Sequence, residues 1–579
     1  MGEVGDLKGA GGRRAREARG VVPAPMLAGI LGLYAALVVW LSWPLGVHLG
    51  THLPDPTNLT FDMLHTGWLL AYETHRLTTD PLHLLEANIY HPTPHALFYG
   101  ETAFGALPLF APVYLVTGNP TAAVNMLFVG GVTLTAFAIH LVVRRWTGSH
   151  LAGFVGAWTF LTNRWVLWDL VPSVPQYALL AYFPVIILLA ATPARRPRAV
   201  LLLLALIVLQ SLVNVLYIAG AVLIPLGLLA LGRLAWRTTR SAGLRLLAVL
   251  ALAAIVLAPV YAGHLAIRAA NPHLSEQTYW KHPQKPIEFP VGLLGYQVPT
   301  GVTRPALILI VVGGLCFVGR RRHRATPGAP WAHALFWTFV GTALCLIPVG
   351  DSPAQLAIAR WLPILEAYRV PVRLGIAALM GLALLAGLAF AECLPRLPDD
   401  GRRRPIRLAA RAALAMGVAA AMYGEYVSGV ADPRLGRPPL PAEYPLRRAV
   451  AADGPLVRIL RESGGPLLEL PVGYRATEAI FDARAMYRST HHWRPLLNGY
   501  DGYWPAEFPA RMALARDLPD PQALQALRAD TGLAMILVNT ADLTPEKRAE
   551  WRALTAAGGN QALRLVGVDG DELLFAVVE

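Results

Sequence analysis

One carboxylate lies where an apolar run gives way to an amphipathic stretch, and two roles fit it. The stretch is FDMLHTGWLLAYETHR, residues 61–76, and Asp62 is the acidic residue at its start. Aspartate is a preferred helix N-cap, but an aspartate at a reaction centre can also accept a proton as general base. Spacing alone favours the cap. The following helix would lie on a membrane surface, with Glu73 and Arg76 as an i,i+3 pair on its wet face and an apolar stripe formed by Leu64, Trp68, Tyr72 and His75.

Two arginines flank Val-Pro-Val in LEAYRVPVRLG, residues 365–375. A guanidinium fork binds phosphate through two parallel hydrogen bonds, so Arg369 and Arg373 are candidate ligands of a lipid phosphate. The plainer alternative is that both side chains reach toward lipid headgroups. Glu366 is also close enough in sequence to neutralise one of them.

A second polar stretch, NIYHPTPHALFYGE at 88–101, contains Pro92 and Pro94, which disfavour a helix and predict an extended track. Such a track could line a pocket or merely connect two elements. The candidate pocket residues, together with Glu73 and a lysine from NPHLSEQTYWKHPQKP, are Asn88, His91, Tyr99, Glu101 and Lys281.

The third polar stretch, YRSTHHWRPLLNGYDGYWP at 487–505, is dense in aromatic residues. Aromatic rings beside amide and carboxylate groups suit a sugar, which has apolar faces and hydroxyl edges. A packed loop with ordinary core Tyr and Trp fits equally well. The candidate acceptor-binding residues are His491, His492, Trp493, Asn498 and Asp501.

The elements that must position these residues are mostly membrane helices. Hydrophobic residues make up 55% of the 579 residues and charged residues 15%, and the mean hydropathy is +0.45. Apolar runs recur up to residue 430, and a bilayer core takes about 20 apolar residues per helix. The net charge of +13 does not indicate nucleic-acid binding, because the arginines cluster between apolar runs. Metal-type spacing is missing from the three cysteines, so we expect neither a disulfide nor a zinc site.

We therefore predict a polytopic α-helical membrane protein of about 11 transmembrane helices. The predicted segments are 26–48, 122–143, 150–163, 177–192, 199–212, 215–232, 244–263, 305–319, 331–348, 372–393 and 407–430, whereas 103–116 is a short re-entrant or interfacial piece. With eleven crossings every arginine cluster falls on one side, which the positive-inside rule makes the cytoplasm. The prediction is a cytoplasmic tail at 1–25, a transmembrane domain at 26–430 with a large first outer loop at 49–121, and an outer domain at 431–579, all in the cytoplasmic (inner) membrane.

The outer domain follows a proline-rich linker, RPPLPAEYP. PLLELPV (466–472) and AMILVNT (534–540) are typical of buried strands, and two helical stretches lie between them. Asp520 is a predicted N-cap with Pro521 in the first helical position. RLVGVDGDELLFAVV predicts a closing hairpin that turns at Asp569–Gly570. The sequence therefore predicts a C-terminal extracytoplasmic α/β domain.

Taken together, this layout resembles the GT-C class of membrane glycosyltransferases, in particular bacterial GT-C-like proteins. The likeness covers nearly the whole chain and rests on FDMLHTGW, NIYHPTPHALFYGE and PVYLVTGNP in the first loop, on RVPVR, and on LLELPV and HHWRPLLNGYDGYWP in the outer domain. It implies an inverting transfer of a sugar from a polyprenyl-phosphate donor at the outer membrane face, with an acidic residue of the first loop as base.

By matching position, the resemblance makes Asp62 the base and Arg369 and Arg373 the ligands of the donor phosphate. Many members carry a tight acidic pair in the first loop, whereas here Glu73 and Glu101 are the alternatives. No cofactor is certain, and a divalent cation is left open. The expected partners are the lipid-linked donor, membrane lipid, and a glycan, lipid or protein acceptor, with no nucleic acid. A lipid-sugar transporter and a non-catalytic envelope assembly protein are the other hypotheses.

Overall fold

The protein is mostly helical, with one small sheet domain near the C-terminus. The structure is a computed structural model. It describes residues 22–578 except 59, 193–195, 273–297, 322–328, 347–367, 369, 395–403, 430–437, 451–453 and 474–477.

Each of the eleven predicted membrane segments contains a helix. These helices are α1 (Ala24–Leu41), α4 (Pro120–Thr147), α5 (His150–Leu161), α6 (Tyr182–Ala191), α7 (Pro197–Val213), α8 (Tyr217–Leu234), α9 (Arg240–Ala270), α10 (Arg304–Arg321), α11 (Ala329–Cys345), α12 (Ile376–Cys393) and α13 (Arg404–Ser428). In the described part of the chain, six helical segments are long and apolar enough to cross a membrane, and five further apolar helices are shorter. The chain is therefore a multi-pass membrane protein, while the count of eleven crossings stays a prediction.

The centre of the helical bundle is α12, which is buried along nearly its whole length. It packs against α5, α10 and α11. Small residues allow this close approach. A Cβ atom on Gly341 of α11 would lie 2.1 Å from the backbone nitrogen of Ala378. Because α12 is held on several sides, the segment directly before it has a rigid support.

The helix of the first loop, α2 (Thr60–Thr79), differs from the predicted surface helix. It is largely buried, because helix α15 (Ala479–Ser489) of the C-terminal domain packs over it. The predicted pair of Glu73 with Arg76 is wrong. Arg76 pairs with Asp80 at 3.1 Å on the exposed side, whereas Glu73 turns inward and is buried.

After α2 the chain forms turns rather than the predicted extended track. At 88–91 the Tyr90 and His91 amides donate to the carbonyls of Asn498 and Leu496, but Tyr90 has a φ of 56° and the segment is not a strand. A short 3-10 helix follows at Ala96–Tyr99. The predicted short apolar piece is α3 (Leu107–Thr117), which contains Pro112. Whether α3 re-enters the membrane stays a prediction.

The C-terminal domain is built on a four-stranded sheet in the order β3-β4-β6-β5. Its strands are β3 (Leu467–Leu470), β4 (Met535–Asn539), β5 (Leu563–Asp569) and β6 (Glu572–Val577), and its further helices are α14 (Pro455–Glu462), α16 (Phe508–Asp517), α17 (Pro521–Thr531) and α18 (Pro545–Ala556). Strands β3 and β4 are parallel, and the other pairs are antiparallel. Asp520 caps α17 by accepting from the Ala523 amide at 2.9 Å, as predicted. The hairpin turn is Gly570–Asp571, one residue later than predicted, because Asp569 still pairs with Glu572.

Several contacts join this domain to the membrane helices and the first loop. Strand β1 (His52–Pro54) pairs antiparallel with β2 (Leu446–Arg448), which directly follows the linker. Arg447 also forms an ion pair with Asp55 at 2.9 Å. The hydroxyls of Tyr487 on α15 and Thr121 on α4 are hydrogen-bonded to each other. The C-terminal domain is therefore seated directly on the first loop.

Candidate functional site

Asp62 lies in the first turn of α2, at its third residue, and is not the cap residue. The helix begins at Thr60, three residues before Met63, where a cap at Asp62 would have started it. A carboxylate in the first turn is still favoured by the positive end of the helix dipole. The Tyr500 hydroxyl, from the C-terminal domain, donates to Asp62 Oδ1 at 2.7 Å. The carboxylate that the sequence had suggested as a helix N-cap is therefore hydrogen-bonded to Tyr500.

His65 lies one turn further along the same face of α2 and faces a second acid. Its Nε2 is 3.5 Å from Oδ2 of Asp501, whose side chain is only 5% exposed. Burial alone would lower the pKa of His65. Attraction to Asp501, with smaller contributions from Asp62 and Glu101, outweighs burial and raises this pKa above its ordinary value. The imidazole is thus biased toward its charged form.

Asp501 fits against the first loop because residue 100 is a glycine. A Cβ atom at Gly100 would lie 1.7 Å from Asp501 Oδ2, which is far inside van der Waals contact. The Oδ1 atom of Asp501 accepts from the Gly502 amide at 2.7 Å. The carboxylate is therefore held in one place between His65 and the loop backbone.

Glu101, directly after this glycine, reaches the turn between α7 and α8. The side-chain amide of Asn214 donates to the Glu101 carboxylate. The Asn214 oxygen in turn accepts from the Tyr217 amide at 2.7 Å, at the start of α8. This places a third carboxylate at the ends of two membrane helices.

Arg373 lies on a short 3-10 helix, Pro371–Gly375, that leads into α12. Its guanidinium carbon is 5.1 Å from the ring centre of Tyr217 and 5.9 Å from that of Tyr177. Cations over aromatic faces are stabilised without losing their charge. Asp62 and Glu101 both interact electrostatically with Arg373. The partners of Arg373 in the described part of the chain are thus aromatic, and Tyr177 is also hydrogen-bonded to it.

The cluster thus joins three parts of the chain, which are the first loop, the ends of membrane helices and the C-terminal domain. Its members are Asp62, His65, Glu101, Tyr177, Asn214, Tyr217, Arg373, Tyr500 and Asp501. It combines a carboxylate able to take a proton with a cation able to stabilise a phosphate. Such a pair is chemically suited to transfer from a phosphate leaving group to a hydroxyl.

Four candidate pocket residues have other partners in the structure. Glu73 Oε1 accepts from the Ala103 amide at 2.9 Å inside the fold. Asn88 joins the two domains by accepting from the Trp68 indole and donating to Ser489, each at 3.0 Å. His91 and Tyr99 also lie against residues other than Asp62. The His91 amide donates to the Leu496 carbonyl of the C-terminal domain, and the Tyr99 ring packs on Tyr90 of the first loop.

Most of the candidate acceptor-binding loop is likewise engaged in packing. Asn498 is buried and bonds both backbone groups of Glu469 and the Asp482 carboxylate. His492 Nδ1 accepts from the Arg494 amide at 3.1 Å, and burial, with nearby arginines, lowers its pKa to about 3. His491 is buried beside Tyr487, and Trp493 stacks on His75 at 4.3 Å. Of the five candidates, Asp501 is brought to the Asp62 cluster.

Two candidates, Arg369 and Lys281, lie outside the described residues. Within the described ranges, no group of three or more His, Cys, Asp or Glu side chains is arranged to hold a metal ion. Cys316, Cys345 and Cys393 all lie in the described part of the chain, and none of the three forms a disulfide.

Sequence reasoning missed five members of the cluster. His65 follows Asp62 by three residues, and that helical spacing was a usable signal. Tyr500 precedes Asp501 directly, but its partner is 438 residues away. Tyr177, Asn214 and Tyr217 lie where predicted membrane segments begin or end on one predicted side, and no local pattern connects them.

Solved structures share this architecture, although sequence comparisons find no relative. No protein-family model matches the sequence, and no curated protein matches it. The arabinofuranosyltransferase AftD from Mycobacteria superposes with a TM-score of 0.53 at 15% identity, over 96% of this chain and 40% of AftD. Two structures of ArnT from Cupriavidus metallidurans, one bound to undecaprenyl phosphate and one apo, give TM-scores of 0.48 at 14% and 15% identity, over 95% of this chain and 98% of ArnT.

This chain therefore spans less than half the length of AftD. The likeness to AftD extends over nearly all of the present chain, including the C-terminal domain that supplies Tyr500. At this level of identity the similarity concerns the fold. The chain has the fold of the GT-C glycosyltransferases.

Proposed function

We propose that this chain transfers a sugar from a polyprenyl-phosphate-linked donor to a cell-envelope acceptor, with inversion at the anomeric carbon. The observation that carries the proposal is the convergence of the Asp62 carboxylate and the Arg373 guanidinium on one cluster. The fold similarity to an arabinofuranosyltransferase supports sugar transfer as the reaction class.

Each group has a defined part in this reaction. An acceptor hydroxyl oxygen forms the new bond to the anomeric carbon as the bond from that carbon to the phosphate oxygen breaks. Asp62 takes the hydroxyl proton, and Arg373 stabilises the charge left on the polyprenyl phosphate. Among the described residues, only Oδ1 of Asp62 is hydrogen-bonded, which leaves Oδ2 for the acceptor hydroxyl.

The proposal places this chemistry at the outer face of the cytoplasmic membrane. We propose eleven crossings, a cytoplasmic tail at 1–25 and an extracytoplasmic domain at 431–579. The cluster supports this orientation, because the C-terminal domain contacts the Thr121 end of α4 while Arg144 and Arg145 lie at its other end. The positive-inside rule assigns that arginine end to the cytoplasm.

Turnover is tested with purified protein in lipid nanodiscs and a panel of donors, namely undecaprenyl-phosphate-linked arabinofuranose, mannose and glucose. The readout is release of undecaprenyl phosphate. Asp62→Asn should abolish turnover while donor binding persists, because an amide cannot take the proton. The matched control is Asp80→Asn at the other end of α2, where the carboxylate pairs with Arg76 in a part-exposed position.

Binding of the phosphate is tested separately. Arg373→Ala should weaken binding of undecaprenyl phosphate by about tenfold or more, since a charge-assisted hydrogen bond is lost. Arg304→Ala is the control, because Arg304 also starts a membrane helix but pairs with Glu425 at 3.1 Å.

Three results would contradict the proposal. One is that no donor of the panel is consumed by the wild-type chain, and a second is that Asp62→Asn keeps the wild-type rate. The third is movement of labelled lipid across a liposome membrane without a new glycosidic bond, which would indicate a transporter.

A further inference from the structure

Two adjacent residues of the C-terminal domain each contact a different residue of α2. Tyr500 donates to Asp62 at 2.7 Å, and Asp501 lies 3.5 Å from His65. Asp62 and His65 are three residues apart, so they share one helix face. The Tyr500 ring also lies edge-on to Phe61 at 5.5 Å and to His65 at 5.7 Å. The C-terminal domain therefore contacts α2 at Asp62, the proposed base.

Contacts before and after Tyr500 hold this loop against the first loop. The Tyr503 amide donates to the Tyr99 carbonyl at 3.0 Å. The Tyr90 hydroxyl donates to the Tyr503 carbonyl at 3.2 Å. Before Tyr500, a Cβ atom on Gly499 would lie 2.1 Å from the Tyr90 ring, so only a glycine fits there without a shift. The backbone around Tyr500 is thus held against the first loop, and its ring is held by Phe61 and His65.

We propose that Tyr500 is a positioning residue for Asp62, which makes the C-terminal domain a structural part of the active site. The proposal rests on the proposed function of Asp62 as base. A hydroxyl that donates to a carboxylate favours its ionised form, which is the form that accepts a proton. Bonding at Oδ1 also fixes the rotation of the carboxylate and so presents Oδ2 to the acceptor.

The other charged groups around Asp62 partly oppose one another. His65 on the same helix and Arg373 before α12 can carry positive charge, whereas Glu101 and Asp501 are acids. Tyr500 is neutral and adds no charge to this balance. Removal of its hydroxyl should therefore act on Asp62 through one hydrogen bond and leave the surrounding charges in place.

The experiment follows the protonation of Asp62 directly. Infrared spectra of the purified full chain are titrated with pH, and the carboxyl C=O band of Asp62 is isolated as the difference between wild type and Asp62→Asn. Tyr500→Phe keeps the ring and removes only the hydroxyl. The midpoint of the Asp62 band should rise by about one pH unit or more, because a hydrogen bond to the charged form is lost. Turnover of the donor panel should fall by about 10- to 100-fold, chiefly in kcat.

Tyr487→Phe is the matched control. It also removes a phenol hydroxyl that joins the C-terminal domain to the membrane helices, through Thr121, but away from the cluster. If loosening of the domain contact were responsible, Tyr487→Phe would lower kcat as much as Tyr500→Phe. We expect the control to leave both the Asp62 midpoint and kcat unchanged.

An unchanged Asp62 midpoint in Tyr500→Phe, or an equal shift in Tyr487→Phe, overturns this inference. The two proposals fail separately. If Asp62→Asn is inactive while Tyr500→Phe behaves like wild type, only the role of Tyr500 is wrong. If Asp62→Asn is active, the proposed base is wrong whatever the infrared titration shows.

Discussion

Replacing Glu73 by Gln tests whether this residue is a buried structural group or the alternative base. Its carboxyl lies outside the proposed membrane-spanning helices and is completely buried. Burial raises its pKa from 4.5 to about 8, although the hydrogen bond from the Ala103 amide acts in the opposite direction. At neutral pH Glu73 is therefore mostly protonated, and glutamine closely matches the shape of that neutral form.

The sign of the pH effect follows from linkage. Below pH 4.5 the group is protonated in both the folded and the unfolded chain. Between pH 4.5 and about 8 the unfolded chain loses this proton while the folded chain retains it, so the free energy of unfolding falls as pH rises. At 1.36 kcal/mol per pH unit, the full effect is on the order of 5 kcal/mol. Glu73→Gln removes this loss of stability. The free energy of unfolding of the variant should therefore exceed that of wild type by an amount that grows from pH 5 to pH 8.

The assay is thermal unfolding in detergent at pH 5, 6, 7 and 8, followed by tryptophan fluorescence. The Tm difference between Glu73→Gln and wild type cancels the contribution of other titrating groups. Glu86→Gln serves as the control, because the Glu86 side chain is 36% exposed and pairs with His95 at 2.7 Å, whereas Glu73 is buried. A Tm difference that does not change with pH would refute the reasoning. A folded Glu73→Gln protein without turnover would instead move the role of base from Asp62 to Glu73.

Two further predictions concern the contacts of the C-terminal domain. Gly100→Ala should displace the Asp501 carboxylate, since the new Cβ would lie 1.7 Å from its Oδ2, and we expect turnover to fall at least tenfold. The control is Gly424→Ala, where nothing lies within 4 Å of the new Cβ. Equal turnover of the two variants would contradict this. Asn498→Ala should destabilise the protein by roughly 3 kcal/mol, because it leaves buried partners unpaired, among them the Asp482 carboxylate, and an unchanged Tm would argue against that role.

The local elements could be predicted because their determinants are close together in the chain. Runs of apolar residues predicted a helix in each of the eleven segments, since helix burial in lipid depends on length and composition. The cap at Asp520 was also predictable, because it needs only the amide three residues later. The same local view misplaced Asp62 as a cap, since the helix begins three residues before the predicted start, and local patterns predict the boundaries of helices least well.

The sequence by itself determined which segments are helical and apolar, where the chain changes to a strand-rich domain, and that acidic and basic groups lie in the loops between apolar segments. Only the tertiary structure decided which of those groups meet. Glu73 faces inward because a domain from the far end of the chain covers α2, and no pattern within α2 reveals that cover. Asp62 gains Tyr500 across 438 residues, a pairing set by how the whole chain packs and not by spacing along it.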